Sequence, residues 1–159
     1  DLYTALEILN PDVIITNIFK ILDARLVSRF KHKLINFHYS LLPAFKGLIG
    51  TSTIQEARKI NCQFIGSTCH RVEEKVDSGS ILGQCVFQLK NEDEDKLIEN
   101  IMFRSNCIMA LNILLCLNHL NYSEPSTVKI LKKKVTFSPG LLSEYKIPNE
   151  AFWEHIKTL

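Results

Sequence analysis

The chain has 159 residues, the length of one domain. At that size roughly 70% of the unfolded surface can be buried, so neither a metal nor a disulfide staple is needed. Apolar residues make up 46% and charged ones 23%, which excludes disordered and collagen-like classes; 19 basic residues against 17 acidic leave a net charge of +2, too balanced to argue for a nucleic acid or membrane-surface partner.

In chain order, Leu2, Ala5, Leu6 and Leu9 share one helical face, and Asn10-Pro11 ends that helix. The opening at Asp1, in what reads as mid-helix, suggests part of a longer chain. Val13 to Thr16 is a short β-branched run suited to a strand buried on both faces. Asp23 is placed to cap a helix running to Phe30, and Lys33 to His38 reads as a second strand. Two strands joined by a helix predict a right-handed parallel crossover.

Ser40 to Gly50, with Pro43, Gly47 and Gly50, reads as a loop, and Thr51 to Lys59 as a short helix. Phe64 to Val72 and Ser80 to Leu89 read as strands separated by the acidic turn Glu73 to Gly79. Asn91 with Glu94 three residues on predicts a capping-box start to a helix carrying Leu97, Ile98, Ile101, Ile108, Leu111 and Leu115 on one face. Acidic Glu92 to Asp95 suit its positive end. A strand at Thr127 to Leu131, the basic run Lys132 to Lys134 on a solvated strand face or turn, and a terminal helical turn follow. The expected class is α/β: a mostly parallel sheet flanked by helices. Ligands of such sheets sit beyond the strands' carboxyl ends, which points to the loop after His38 and the turn around Asp77.

The five cysteines have no C-x-x-C spacing, and all but Cys62 stand among apolar neighbours. Free buried thiols in a reducing, cytoplasmic compartment are the inference. Cys107 to Leu117, the longest apolar run, is interrupted by Asn112 and too short to span a bilayer, so no membrane partner is expected. His32, His119 and His155 have no clustered ligands, and no metal site is expected.

Asn36 and His38, two apart at a strand end, project from one face. An amide can donate to an oxygen that becomes negative as a carbonyl is attacked, and an imidazole can do the same or move a proton from an incoming amine. Asp77 on its turn could hold that imidazole charged, since an adjacent carboxylate favours the protonated form. The trio suits acyl transfer to nitrogen; by residue type alone, a strand Asn and His satisfied by backbone is the favoured reading.

Longer strings shift that balance. Asn36-Phe37-His38-Tyr39-Ser40-Leu41-Leu42-Pro43-Ala44-Phe45-Lys46-Gly47 closely resembles the N-x-H-x-S-L-L-P-x-[FY]-x-G motif of the folate-dependent formyltransferases. Gly66 to Val72, followed by Val76-Asp77-Ser78-Gly79, resembles that family's second motif, and Pro11 to Ile15 with Phe19 to Leu22 its preceding strand and turn. The likeness covers about residues 8 to 118, closest to the branch acting on phosphoribosylglycinamide.

The resemblance implies a Rossmann-like fold and transfer of a formyl group from 10-formyltetrahydrofolate to a small-molecule amine, glycinamide ribonucleotide first. Sugar-nucleotide formylation, hydrolysis of the formylfolate and a non-catalytic folate- or partner-binding module are the alternatives. It further implies that Asn36 and His38 polarise the formyl oxygen while Asp77 orients His38 and a proton-relaying water. The folate ring would lie against Phe19, Lys20, Ile21, Leu22, Val72, Glu73 and Val76. Leu42-Pro43 matches a bond that is cis in the family, and His70 lies near the site there, with a structural role equally open.

Two departures matter. Tyr39 stands where the ribonucleotide branch has Pro, and the glycines at 47, 50, 66, 79, 83 and 140 offer no phosphate-binding loop after the first strand. The expectation is therefore residues 1–122 as the C-terminal portion of a formyltransferase domain lacking its N-terminal part, inactive until that part is supplied. Residues 123–159, where Phe152 and Trp153 are expected to dock, would form a tail outside the resemblance.

Overall fold

The computed structural model describes residues 1–16, 18, 20–50, 52–117, 123–143 and 146–158. Eleven elements are found among them: α1 (Leu2–Leu9), β1 (Ile14–Thr16), α2 (Ala24–Phe30), β2 (Leu34–His38), α3 (Ser52–Lys59), β3 (Phe64–Arg71), β4 (Ile81–Gln88), α4 (Asp95–Cys116), β5 (Ser126–Ile130), β6 (Lys133–Ser138) and α5 (Glu150–Ile156). Local chemistry sets several ends. The Asp23 carboxylate accepts from the Arg25 and Leu26 N–H groups at the start of α2, and Asn10 closes α1 in the left-handed region, which Asn tolerates. The Asp1 carboxylate accepts from Thr4 N at the start of α1.

The strands form one six-stranded sheet in the order β1-β2-β3-β4-β6-β5. Only β1 and β2, joined through α2, pair in parallel; the other four pairings are antiparallel. The expectation of a mostly parallel sheet is corrected to a mixed one. Two of the four antiparallel pairings follow from their connections: β3 and β4 are joined by residues 72–80 and β5 and β6 by Leu131-Lys132, too short for a crossover.

Leu34 and Ile35 point to opposite faces of β2 and mark the two cores. Ile35 joins Ile65, Phe87, Ile101, Met102, Val135 and their neighbours beneath α4, while Leu34 packs with Leu26 and Phe30 of α2 and with Tyr3 and Leu6 of α1. β1 sits at the sheet's end, leaving Ile15 49% exposed, so the strand is not buried on both faces.

Helix α4 starts one turn later than Asn91 suggests. Its N-cap is Glu94, without a side-chain cap bond, while Asp93 accepts from Lys90 N inside a turn. The basic run is also split: Lys132 and Lys134 are exposed, but Lys133 is buried and 2.5 Å from the Asp93 carboxylate. Trp153 is buried on α5 and donates to the Pro148 carbonyl, whereas Phe152 packs edge-on against it and stays half exposed. No helix of the described residues is long and apolar enough to cross a membrane. His119 and Phe19 lie outside the described residues.

Candidate active site

Strand pairing builds the site row by row. Thr16 of β1, Asn36 of β2 and His70 of β3 are register partners, and one row further His38 stands opposite Thr68, itself opposite Gln84. The β3–β4 register slips by one residue between Cys69 and His70, a bulge beside the site.

Asn36 takes its place between Thr16 and His70. Its Oδ1 lies 3.1 Å from the Thr16 hydroxyl and its Nδ2 3.3 Å from His70 Nε2. Both ring nitrogens of His38 face oxygen acceptors: Nε2 is 3.4 Å from the Phe45 carbonyl and Nδ1 is 3.6 Å from the Asp77 carboxylate. The second Asp77 oxygen is 3.7 Å from His70 Nε2, and Gly47 N donates to Asp77 at 2.9 Å. The side chains of His38, His70 and Asp77 are each less than a tenth exposed. Low dielectric strengthens the interplay of such groups.

The loop after His38 is held from below. Thr68 Oγ1 donates to the Ser40 carbonyl and accepts from Leu42 N, and Gln84 Nε2 reaches both Thr68 and the Leu42 carbonyl. Leu42-Pro43 is cis, as the motif implies. Asp77 is delivered by backbone conformation. Its φ is +50°, which Asp adopts more readily than most residues. The 72–80 connection also folds so tightly onto β3 that a Cβ on Gly79 would lie 1.8 Å from the Arg71 carbonyl oxygen.

Thr16, Asn36, His38, Gly47, His70 and Asp77 line a cleft of about 810 Å³ at the carboxyl ends of β1 and β2. Lys20, Ile21, Leu22, Val72, Glu73 and Val76 line it too, so six of the seven residues expected to hold a folate ring meet the three expected to act on a formyl group. Tyr39 contributes to the lining and also packs on the main core. Both the loop after His38 and the turn around Asp77 form its walls, as the carboxyl-end rule predicts.

Sequence reasoning missed Thr16, Thr68 and Gln84. Each reads as an ordinary strand residue, and only a hydroxyl or amide on the same face as Asn36 and His38, once register is known, signals its role.

Burial pushes the His70 imidazole below its usual range, against the opposing pull of the Arg71 carbonyl and Asp77. Burial also pushes the Cys69 thiol up to about 12 and Cys85 up to about 11, leaving both protonated and poor nucleophiles. The arrangement offers hydrogen-bond donors to a developing oxyanion and a carboxylate–imidazole pair for proton movement.

Comparison with known proteins bears on the family and the fold. The formyl transferase family model matches residues 1–110. A formyltetrahydrofolate deformylase of Escherichia coli K12 is 35% identical over 86 residues, covering 54% of this chain and 30% of the relative. A phosphoribosylglycinamide formyltransferase of Haemophilus influenzae is 34% identical over 87 residues, covering 55% of this chain and 40% of the relative. The chain thus spans well under half the length of these two. In fold, it matches the crystal structure of phosphoribosylglycinamide formyltransferase from Anaplasma phagocytophilum with a TM-score of 0.67, at 22% identity, over 92% of this chain and 66% of that one. With the family model matching more than two thirds of this chain and the family's fold around a cleft lined by both motifs, the chain belongs to the formyl transferase family.

Proposed function

We propose that the protein handles a formyl group carried by 10-formyltetrahydrofolate, with Asn36, His38 and Asp77 as the reacting machinery and an amine, glycinamide ribonucleotide first, as acceptor. The observation that carries this reading is the meeting of an amide, an imidazole and a carboxylate at one end of a cleft whose other walls include Ile21, Leu22, Val72 and Val76. Apolar walls suit a flat ring system, and the polar end suits the carbonyl it carries. The donor supplies an electrophilic one-carbon carbonyl. The amine adds to the formyl carbon and the bond from that carbon to the folate nitrogen breaks, the proton given up by the amine passing to the departing nitrogen. Asn36 Nδ2 and His38 Nε2–H, the latter exchanging its 3.4 Å contact with the Phe45 carbonyl for the formyl oxygen, donate as negative charge builds there. Asp77, 3.6 Å from Nδ1, holds the His38 ring and a proton through the reaction.

A second reading replaces the amine by water, and the 35% identity to a relative named formyltetrahydrofolate deformylase favours it. The five free cysteines support a cytoplasmic setting for either.

The decisive experiment titrates 10-formyl-5,8-dideazafolate into the chain, then follows products from 10-formyltetrahydrofolate after fusing the N-terminal segment of the Haemophilus influenzae relative. Binding by the chain alone, with formylated glycinamide ribonucleotide from the fusion, is expected. Formate release without amine dependence establishes the second reading. Asn36→Ala, His38→Ala and Asp77→Ala should each lower turnover about a hundredfold, with analogue affinity changed only a few fold. Turnover near wild type in His38→Ala contradicts the assignment.

A further inference from the structure

Asn36 stands in a row of three register partners, and its neighbour His70 decides which way its carboxamide faces. His70 has one ring nitrogen whose role is fixed. Its Nδ1 is 2.7 Å from the Arg71 carbonyl oxygen, which can only accept, so Nδ1 carries a proton. In the neutral ring Nε2 is then a bare lone pair. It lies 3.3 Å from the Asn36 carboxamide and therefore requires the NH2 end to face it. That choice puts Oδ1 3.1 Å from the Thr16 hydroxyl, which can donate either to it or to the Ile35 carbonyl at the same distance.

The opposite amide orientation would set Oδ1 against the Nε2 lone pair and is tenable only if Nε2 is protonated too. The charged groups facing this ring are Asp77, His38 and Lys46. Burial keeps the ring neutral, since His70 is 2% exposed.

With one Nδ2 proton on His70, the other has no protein acceptor among the described residues, and Asn36 lines the cleft. We propose that Thr16 and His70 are positioning residues that lock the Asn36 carboxamide with one N–H directed into the cleft, His70 acting as the neutral Nδ1–H tautomer. This rests on the formyl-transfer reading for its purpose, though the clamp itself is a property of the folded chain. A donor fixed before the reaction pays no reorganisation when charge develops on the bound carbonyl. A Thr on a strand end and a His inside one thus become part of how the site orients its donor.

The test uses the 159-residue chain, labelled with 15N, at pH 7.5. Expected are a His70 Nε2 resonance typical of an unprotonated acceptor nitrogen and a through-bond coupling between it and Asn36 Nδ2. A protonated Nε2, or no coupling, overturns the clamp whatever the chain binds. Thr16→Ser should keep the coupling and Thr16→Val should lose it; its retention in Thr16→Val overturns the role of Thr16. On adding 10-formyl-5,8-dideazafolate, one Asn36 amide proton should shift in wild type and Thr16→Ser but not in Thr16→Val. Binding without that shift in wild type overturns the free donor. Failure of the analogue to bind wild type counts against the formyl-donor cleft alone, while the tautomer and coupling still decide the clamp.

Discussion

His38 and His70 face the same carboxylate yet are prepared differently. His38 Nδ1 lies 3.6 Å from Asp77 and its other nitrogen addresses the Phe45 carbonyl, whereas His70 donates from Nδ1 to Arg71 and turns a bare nitrogen to Asn36. One imidazole is thus suited to moving a proton and the other to staying neutral. Stability should record this. The lowered His70 value means that below about pH 6.5 the unfolded chain binds a proton that the folded one resists. Its contribution is therefore complete above that pH and declines as the pH falls toward the folded value. Urea midpoints should drop between pH 7.5 and 5.5, with part of that slope absent in His70→Gln; an identical slope would show that His70 is not resisting protonation.

At the scale of elements, two connections decide whether the site exists. The 72–80 segment carries Asp77 in the left-handed region and passes so close to β3 that only Gly fits at position 79. Gly79→Ala should therefore shift the turn and weaken binding of the folate analogue at least tenfold, since a misplacement of about 1 Å can cost a hundredfold in a preorganised site. Calorimetric titration checks this, and unchanged affinity would mean that the turn is not part of the binding wall.

The second connection ties the C-terminal hairpin to the start of α4 through Lys133 and Asp93, both side chains 10% exposed and 2.5 Å apart. Burial alone would raise the Asp93 carboxyl, but the Lys133 ammonium, helped by Lys90, holds it below the usual carboxylate range. Lys133→Ala leaves that carboxylate buried and unpaired and should cost about 3 kcal/mol in denaturant unfolding. A loss under about 0.5 kcal/mol would mean that the pair behaves like an exposed one. Charge pattern alone could not reveal this, because Lys132, Lys133 and Lys134 look equivalent until alternation along β6 buries the middle one.

For the whole molecule, legibility followed the range of the interactions. Periodicity and caps located α1, α2, α3 and five of the strands, because those signals are local. Strand direction was misread beyond β1 and β2, since helix-alternating order suggests crossovers while pairing partners are set by distant residues. β6 was hidden behind the basic run, and Glu94 displaced Asn91 as the cap because Asp93 was engaged by Lys90 and Lys133. In the site, Asn36, His38 and Asp77 stood out through their motifs, whereas Thr16, Thr68 and Gln84 gain meaning only from register across four strands.

The account turns on where a bound formyl group lies. A crystal structure of the chain with 10-formyl-5,8-dideazafolate measures that directly. The account predicts the formyl oxygen within about 3 Å of Asn36 Nδ2 and of a His38 ring nitrogen, with the ring system against Ile21, Leu22 and Val76. A formyl group seated elsewhere in the cleft, out of reach of both side chains, would contradict it.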